Sequence, residues 1–142
     1  DTSGNLDWVQ RIGAAPLPQA SSTVVLGQSI AVNADGSGVF VAGYTNSVVS
    51  GLTGSGGEDV VVARYAPDGQ LEWVKQFGAV GRATRPDGLN DRGNGIALDP
   101  SGDVVVAGIA QGVLGSPGSN PGNRTIRDWF IAFLRAADGV FK

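Results

Sequence analysis

The sequence contains no cysteine, histidine or methionine, and only 16% of its 142 residues are charged. Without cysteine the chain forms neither disulfides nor thiolate metal sites, and without histidine it lacks the commonest transition-metal ligand and general base. No window approaches the 18 consecutive apolar residues of a membrane-spanning helix. These absences exclude most zinc and hydrolase chemistry, and they predict a chain with no transmembrane segment.

Positive charge is also scarce: the ten Lys and Arg residues form no cluster, and the net charge is -3. Nucleic-acid binding needs several basic side chains together to neutralise neighbouring phosphates. We therefore expect no nucleic-acid partner. The first residues, Asp1 to Gly4, are small and acidic or polar, as is typical of a mature chain after removal of a signal peptide. This predicts an extracellular or cell-surface location.

Glycine, by contrast, is abundant, with 23 residues, and the sequence repeats itself. Residues 4–14 recur as residues 69–79 with identical or similar side chains. Residues 27–43 recur as 93–108, and residues 59–69 recur as 128–139. A period of this length is typical of proteins built from stacked repeats of one structural unit.

Each repeat contains four short runs rich in β-branched and aromatic residues, separated by Gly, Pro and Asp-Gly turn signals. The runs cover residues 6–12, 29–32, 39–45 and 59–65 in the first copy, and 71–77, 95–98, 104–109 and 128–134 in the second. Gly or Pro interrupts every window before a helical period develops. The sequence predicts an all-β protein with two four-stranded antiparallel sheets of the kind that form propeller blades.

The motifs that carry this pattern are Asp68-Gly69 followed by Leu71, Trp73 and Phe77, a Gly-Ile-Ala-x-Asp segment at 95–99, and a strand headed by Asp128. Their order resembles the SBBP-type bacterial β-propeller repeat family. The resemblance implies two blade-like repeats, 1–68 and 69–138, with 139–142 starting a third repeat or acting as a joining strand. It also implies a secreted or surface protein without a shared catalytic residue set, so we expect no enzyme.

The strand runs are apolar on both faces, because residues alternate in direction along a strand. Sheets covered on both faces have this pattern. In the fourth strands the opposed sets are Val60 and Val62 against Val61 and Ala63, and Trp129, Ile131 and Phe133 against Phe130, Ala132 and Leu134. Two stacked blades leave two apolar faces open, so we expect neighbouring subunits or missing blades to complete the core.

These features predict a secreted structural or adhesive module that assembles head to tail into an extracellular filament or surface assembly. Self-association would use the sheet faces and the C-terminal segment. The residues expected in the core or in assembly contacts are Trp8, Trp73, Trp129, Phe130, Val140 and Phe141. The alternative is a lectin-like propeller formed by ring closure of several chains, with carbohydrate or peptide bound by the loops 15–26, 80–92 and 112–125.

Two oxygen-rich turns are weak candidates for calcium, because a hard cation needs several oxygen ligands. They contain Asn33 and Asp35 in the first repeat, and Asp99 and Asp103 in the second. Ordinary Asx-Gly turns explain them equally, so we predict neither a metal site nor another cofactor. Asn123 lies in an Asn-x-Thr glycosylation triplet. Asp59 and Asp128 head the fourth strands, where such a residue accepts hydrogen bonds from the preceding loop.

Overall fold

The computed structural model describes residues 3–15, 23–49, 51–55, 57–79, 89–112, 114 and 127–142. These residues contain ten strands and no helix. The strands are β1 (Ala14–Ala15), β2 (Val25–Val32), β3 (Val39–Thr45), β4 (Val48–Val49), β5 (Gly57–Tyr65), β6 (Leu71–Phe77), β7 (Leu89–Asn90), β8 (Arg92–Leu98), β9 (Val104–Ala110) and β10 (Asp128–Leu134).

Two antiparallel sheets form the body of the fold. The first sheet has the order β2-β3-β5-β6, with the short β7 pairing in parallel to β5. The second sheet has the order β8-β9-β10. The strands β1 and β4 form a separate two-stranded pair. The all-β prediction and the antiparallel pairing are thus confirmed.

Seven of the eight predicted runs overlap strands, and three of them match to the residue: β3, β6 and β10. The prediction of a strand at 6–12 is wrong, since this segment joins no ladder in the structure. A strand is defined by hydrogen bonds to a neighbouring strand. Its repeat counterpart β6 has such a neighbour in β5, so β6 completes the first sheet although it belongs to the second sequence repeat.

The core lies between the two sheets. One face of the first sheet packs against one face of the second through fully buried side chains, namely Phe40, Ala42, Val60, Val62, Val104, Val106 and Leu134. Trp73 and Phe130, both predicted core residues, are half-buried and pack against this cluster. Burial of aliphatic and aromatic side chains on this scale supplies the main stabilising contribution to the fold.

One ion pair joins the sheets at their edge. Arg92 on β8 donates to Glu58 on β5 through Nε at 2.5 Å and Nη2 at 2.9 Å. The same guanidinium lies over the ring of Tyr44, with its central carbon 4.6 Å from the ring centroid. A two-pronged, partly buried Arg–carboxylate contact fixes relative orientation as well as contributing energy.

Trp73 fastens the first sheet to the turn that follows β10. Its indole Nε1 donates to the carbonyl of Ala136 at 2.8 Å, and Arg64 Nη1 donates to the same carbonyl at 3.0 Å. The ring lies directly against Gly139, which has a φ of 67°. A Cβ atom at Gly139 would be 2.9 Å from Trp73 Cε3. This position therefore requires glycine both for its conformation and for its close contact.

We predict that Gly139→Ala destabilises the chain more than Gly36→Ala. Gly36 also has a left-handed backbone, with a φ of 73°, but a Cβ there meets nothing within 4 Å. Gly36→Ala should lower the free energy of unfolding by about 1 kcal/mol from backbone strain alone. Gly139→Ala adds the collision with Trp73, so we expect a loss of about 2–3 kcal/mol. Urea unfolding followed by tryptophan fluorescence measures both, and equal losses would contradict the contact.

Candidate functional site

Each sheet has one face that the other sheet does not cover. The open face of the first sheet is defined by Ile30, Val39, Val41, Val61 and Tyr65, which are neighbours across β2, β3 and β5. Ile30 is 64% exposed, whereas Val61 and Tyr65 are buried. The open face of the second sheet is defined by Val105, Ala107, Trp129, Ile131 and Phe133. Trp129 is 78% exposed, and Ile131 is 53% exposed.

The sequence repeat relates these open faces to the interface inside the chain. Val60 and Val62 lie on the covered face of the first sheet, and their repeat counterparts are Trp129 and Ile131 on the open face of the second. In the other direction, Val61 on the open face of the first sheet corresponds to Phe130, which packs against the core. The two open faces thus have the repeat positions of the two faces that meet inside the chain.

The same relation holds for a tryptophan contact at each sheet. Trp8 donates from Nε1 to the carbonyl of Pro67 at 2.9 Å, as Trp73 does to Ala136. Its ring lies against Gly69 and stacks on Tyr65 with a centroid distance of 6.2 Å. The 6–12 segment therefore lies against the first sheet in the way that β6 lies against the second.

A groove of about 350 Å³ lies between this segment and the open face of the first sheet. One wall is formed by Trp8, Gln10 and Ile12 with Arg11, and the floor by valines of β3 and β5. The lining is mainly apolar, and in the described part of the chain no sheet fills the groove.

The predicted assembly residues occupy different positions. Trp129 is exposed on the open face of the second sheet, and Trp8 borders the groove. Val140 and Phe141 follow the turn after β10, and Phe141 forms a bridge with Leu134 of the same chain. This is a different partner from the neighbouring chain that the sequence led us to expect. Phe141 also contacts Phe77, with ring centroids 5.0 Å apart.

The four calcium candidates lie in two separate turns. Asp35 Oδ1 accepts from the backbone N of Ser37 at 2.9 Å, and Asn33 Nδ2 donates to Ser37 Oγ at 2.8 Å. Asp99 Oδ1 accepts from Ser101 and from the backbone N of Asp103. These are hydrogen bonds of Asx turns. Among the described residues no three acidic side chains lie together as a metal site would need.

Asp103 also links its turn to the chain's C-terminal residues, through Ala136 N at 2.9 Å and Lys142 Nζ at 2.5 Å. Asn123, the glycosylation candidate, lies outside the described residues. Most of the three loops on which the lectin-like alternative depends also lies outside them.

Two buried carboxylates that the sequence did not mark as a pair lie beside Gly78. Asp59 Oδ2 accepts from Ser55 N and Gln76 Nε2, both at 2.8 Å. The bond from Ser55 is the loop contact predicted for a residue heading this strand. Gln76 in turn accepts from Val49 N at 2.9 Å, so the network holds the loop after β3 against β6.

The second carboxylate, Asp91, accepts from Ala79 N at 2.5 Å and from Gln111 N at 2.9 Å. A Cβ atom on Gly78 would collide with Asp59 Oδ1 and Asp91 Oδ2, so the two acids face each other across this glycine. Burial raises the pKa of both carboxyl groups, and the charge of Asp59 adds to the rise at Asp91. Both side chains organise loops.

In comparisons with known proteins, no family model and no curated protein matches this chain. The described part of the chain has no helix that is long and apolar enough to cross a membrane. The resemblance to SBBP-type repeats therefore stays a prediction, and the interpretation of the site depends on the geometry of the two open faces.

We predict that Asp59→Asn stabilises the chain increasingly as pH rises. Burial raises the folded-state pKa of Asp59 above its ordinary value of 3.8, so its favourable contribution is complete below that value and is lost as pH rises through the folded pKa. The amide has no charge to bury. The difference in unfolding free energy between variant and wild type should therefore grow from about pH 3 to about pH 8, measured by urea unfolding.

Asp35→Asn is the matched control with the opposite sign. Asp35 is fully exposed, and the backbone N–H of Ser37 lowers its pKa. Its contribution is present above the ordinary value of 3.8 and is lost as pH falls through the folded value. A parallel pH profile for the two variants would contradict the assignment of Asp59 as a carboxyl group disfavoured by burial.

Proposed function

We propose that this chain is a non-enzymatic structural or adhesive module of an extracellular or cell-surface assembly, built of propeller-type blades that stack head to tail. The observation that supports the proposal is the repeat relation between its faces. The open face of the second sheet has the same repeat positions as the covered face of the first sheet, and the second sheet packs on that covered face. A further blade of the same kind therefore fits there.

The side chains on the open faces support the same conclusion. The counterparts of Val60 and Val62 are the larger Trp129 and Ile131, and neither is replaced by a charged residue. The positively charged Arg64 on the covered face has Phe133 as its counterpart on the open face. An exposed face that is more apolar than the buried one beside it is typical of a surface that binds a partner.

The unlike character of the two faces predicts a head-to-tail contact. A face that fits a different face gives a heterologous interface, which closes into a ring or continues as a filament according to the rotation between copies. The resemblance to SBBP-type repeats agrees with a role in a secreted or surface protein.

We predict that Ile131→Glu and Ile30→Glu each block association, and that mixing the two variants restores a dimer. Each substitution places an unpaired carboxylate on one apolar face, which should weaken the contact by about 100-fold or more. Ile131→Glu keeps the open face of the first sheet, and Ile30→Glu keeps the open face of the second. Only a head-to-tail contact allows the intact faces to pair in the mixture.

Sedimentation velocity over a range of concentrations measures this outcome. Ala137→Glu is the control, because Ala137 is exposed in a turn and should leave association unchanged. Wild-type chain that stays monomeric at all concentrations would overturn the proposal. Self-association of either variant at the wild-type level would contradict the assignment of the two faces.

A further inference from the structure

The 8–12 segment makes one of the two kinds of contact that its repeat counterpart β6 makes. In β6, Trp73 contacts the turn of the second sheet while the strand itself pairs with β5. In the N-terminal segment, Trp8 makes the equivalent contact to the turn at Pro67. The segment has no strand beside it among the described residues, and Val9 is 77% exposed. The contact that this segment lacks, compared with β6, is pairing with a neighbouring strand.

One edge of β10 is the repeat equivalent of the β5 edge with which β6 pairs. β10 pairs with β9 on one side along its whole length. On the other side, within the described part of the chain, only its end is occupied: Leu134 forms the bridge with Phe141, and Phe133 O accepts from Lys142 N at 3.0 Å. The equivalent edge, on β5, is covered by β6. The edge from residue 129 to residue 132 is open to a further strand, and such edges bind extended segments through main-chain hydrogen bonds.

We propose that residues 8–12 of a second copy add to this edge of β10 as an antiparallel strand. The inference rests on the proposed head-to-tail stacking and specifies the contact within it. The register follows from β5 and β6, in which Ala63 faces Val74 and Arg64 faces Trp73. Through the repeat, Val9 of the second copy lies opposite Ala132, and Trp8 lies opposite Phe133.

This register agrees with two further observations. The incoming strand starts at Trp8, and the residue before Trp8 is the repeat counterpart of Lys142. The strand therefore begins beyond the bridge between Leu134 and Phe141 and leaves that bridge intact. It also places the open face of the second sheet, with Trp129 and Ile131, over the groove of the incoming copy. The wall of that groove is the same 8–12 segment, and its lining is mainly apolar. Strand addition and face packing are thus compatible in a single arrangement.

The absence of cysteine from the chain gives a clean crosslinking test. Full-length Val9→Cys and Ala132→Cys variants are mixed, oxidised mildly and run on a non-reducing gel. Directly opposite residues in a ladder lie within disulfide reach. Because thiols held together have effective concentrations in the millimolar range, we expect a covalent dimer about 100-fold faster than by random encounter of micromolar chains.

Two controls fix the register and the geometry. Arg11→Cys mixed with Ala132→Cys shifts the pairing by two residues on the same strand face, and it should crosslink only at the random rate. The double variant Ala63→Cys/Val74→Cys joins a pair whose register is known, and it should form an internal disulfide. Each single variant oxidised alone reports the background of like-with-like dimers.

The outcomes separate the strand contact from the proposed function. Rapid crosslinking of Val9→Cys with Ala132→Cys, and not of the shifted pair, supports the proposal. Equal slow crosslinking of both pairs in samples that sediment as oligomers overturns the strand contact and leaves face stacking intact. Equal slow crosslinking in samples that sediment as monomers overturns both.

Discussion

The structure depends on the packing of one apolar sheet face against another. In an antiparallel sheet with one wet face, side chains alternate between apolar and polar. Here both faces of β5 and β10 are apolar, so the core between the sheets covers only one face of each strand. On the other face, Trp129 of β10 is 78% exposed, whereas Tyr65 of β5 is buried against Trp8. The internal interface around Phe40, Val60 and Val106 meets this need once. The groove beside Trp8 and the exposed Trp129 follow from the same property of the strands.

The tryptophans transmit this packing from sheet to sheet. Each contacts a turn that contains a left-handed glycine, Gly69 for Trp8 and Gly139 for Trp73. Such a glycine lets the indole approach the backbone closely enough to donate to a carbonyl two or three residues earlier. The repeat thus preserves a contact between an outer strand and the turn of the following sheet, and it does so even where the outer strand has no ladder.

Sequence patterns predicted the strands well because β-branched runs and Asp-Gly turns are local signals. β3, β6 and β10 were predicted to the residue for this reason. The segment at 6–12 has the same local signal as β6, yet whether it becomes a strand depends on a neighbour that local sequence does not specify. For the same reason the boundaries of the sequence repeats do not coincide with those of the sheets: β6 belongs to the second repeat but pairs with β5 in the first sheet.

The candidate site was predicted in part. Alternation along residues 128–134 separated the two sides of β10, with Trp129 on one and Phe130 on the other, but it did not specify which side the core covers. The buried acid at Asp91 was missed, because it lies in a loop and its partners, Ala79 and Gln111, are distant in sequence. A signal was available only for Asp59, whose place at the head of a strand predicted its bond to Ser55.

The ion pair between Glu58 and Arg92 has no equivalent at the open faces. The contact between the two sheets of one chain and the proposed contact between copies would therefore have different properties. The repeat counterparts of Arg92 and Tyr44 are Leu26 and Ile109. The proposed contact between copies would therefore lack the guanidinium that orients the two sheets within the chain. In the proposed stack, this ion pair orients the contact within the chain, whereas the contact between copies would depend mainly on apolar packing. Sulfate or phosphate salts would therefore strengthen the contact between copies and not screen it. A series of copies would alternate stiff and compliant links along its length.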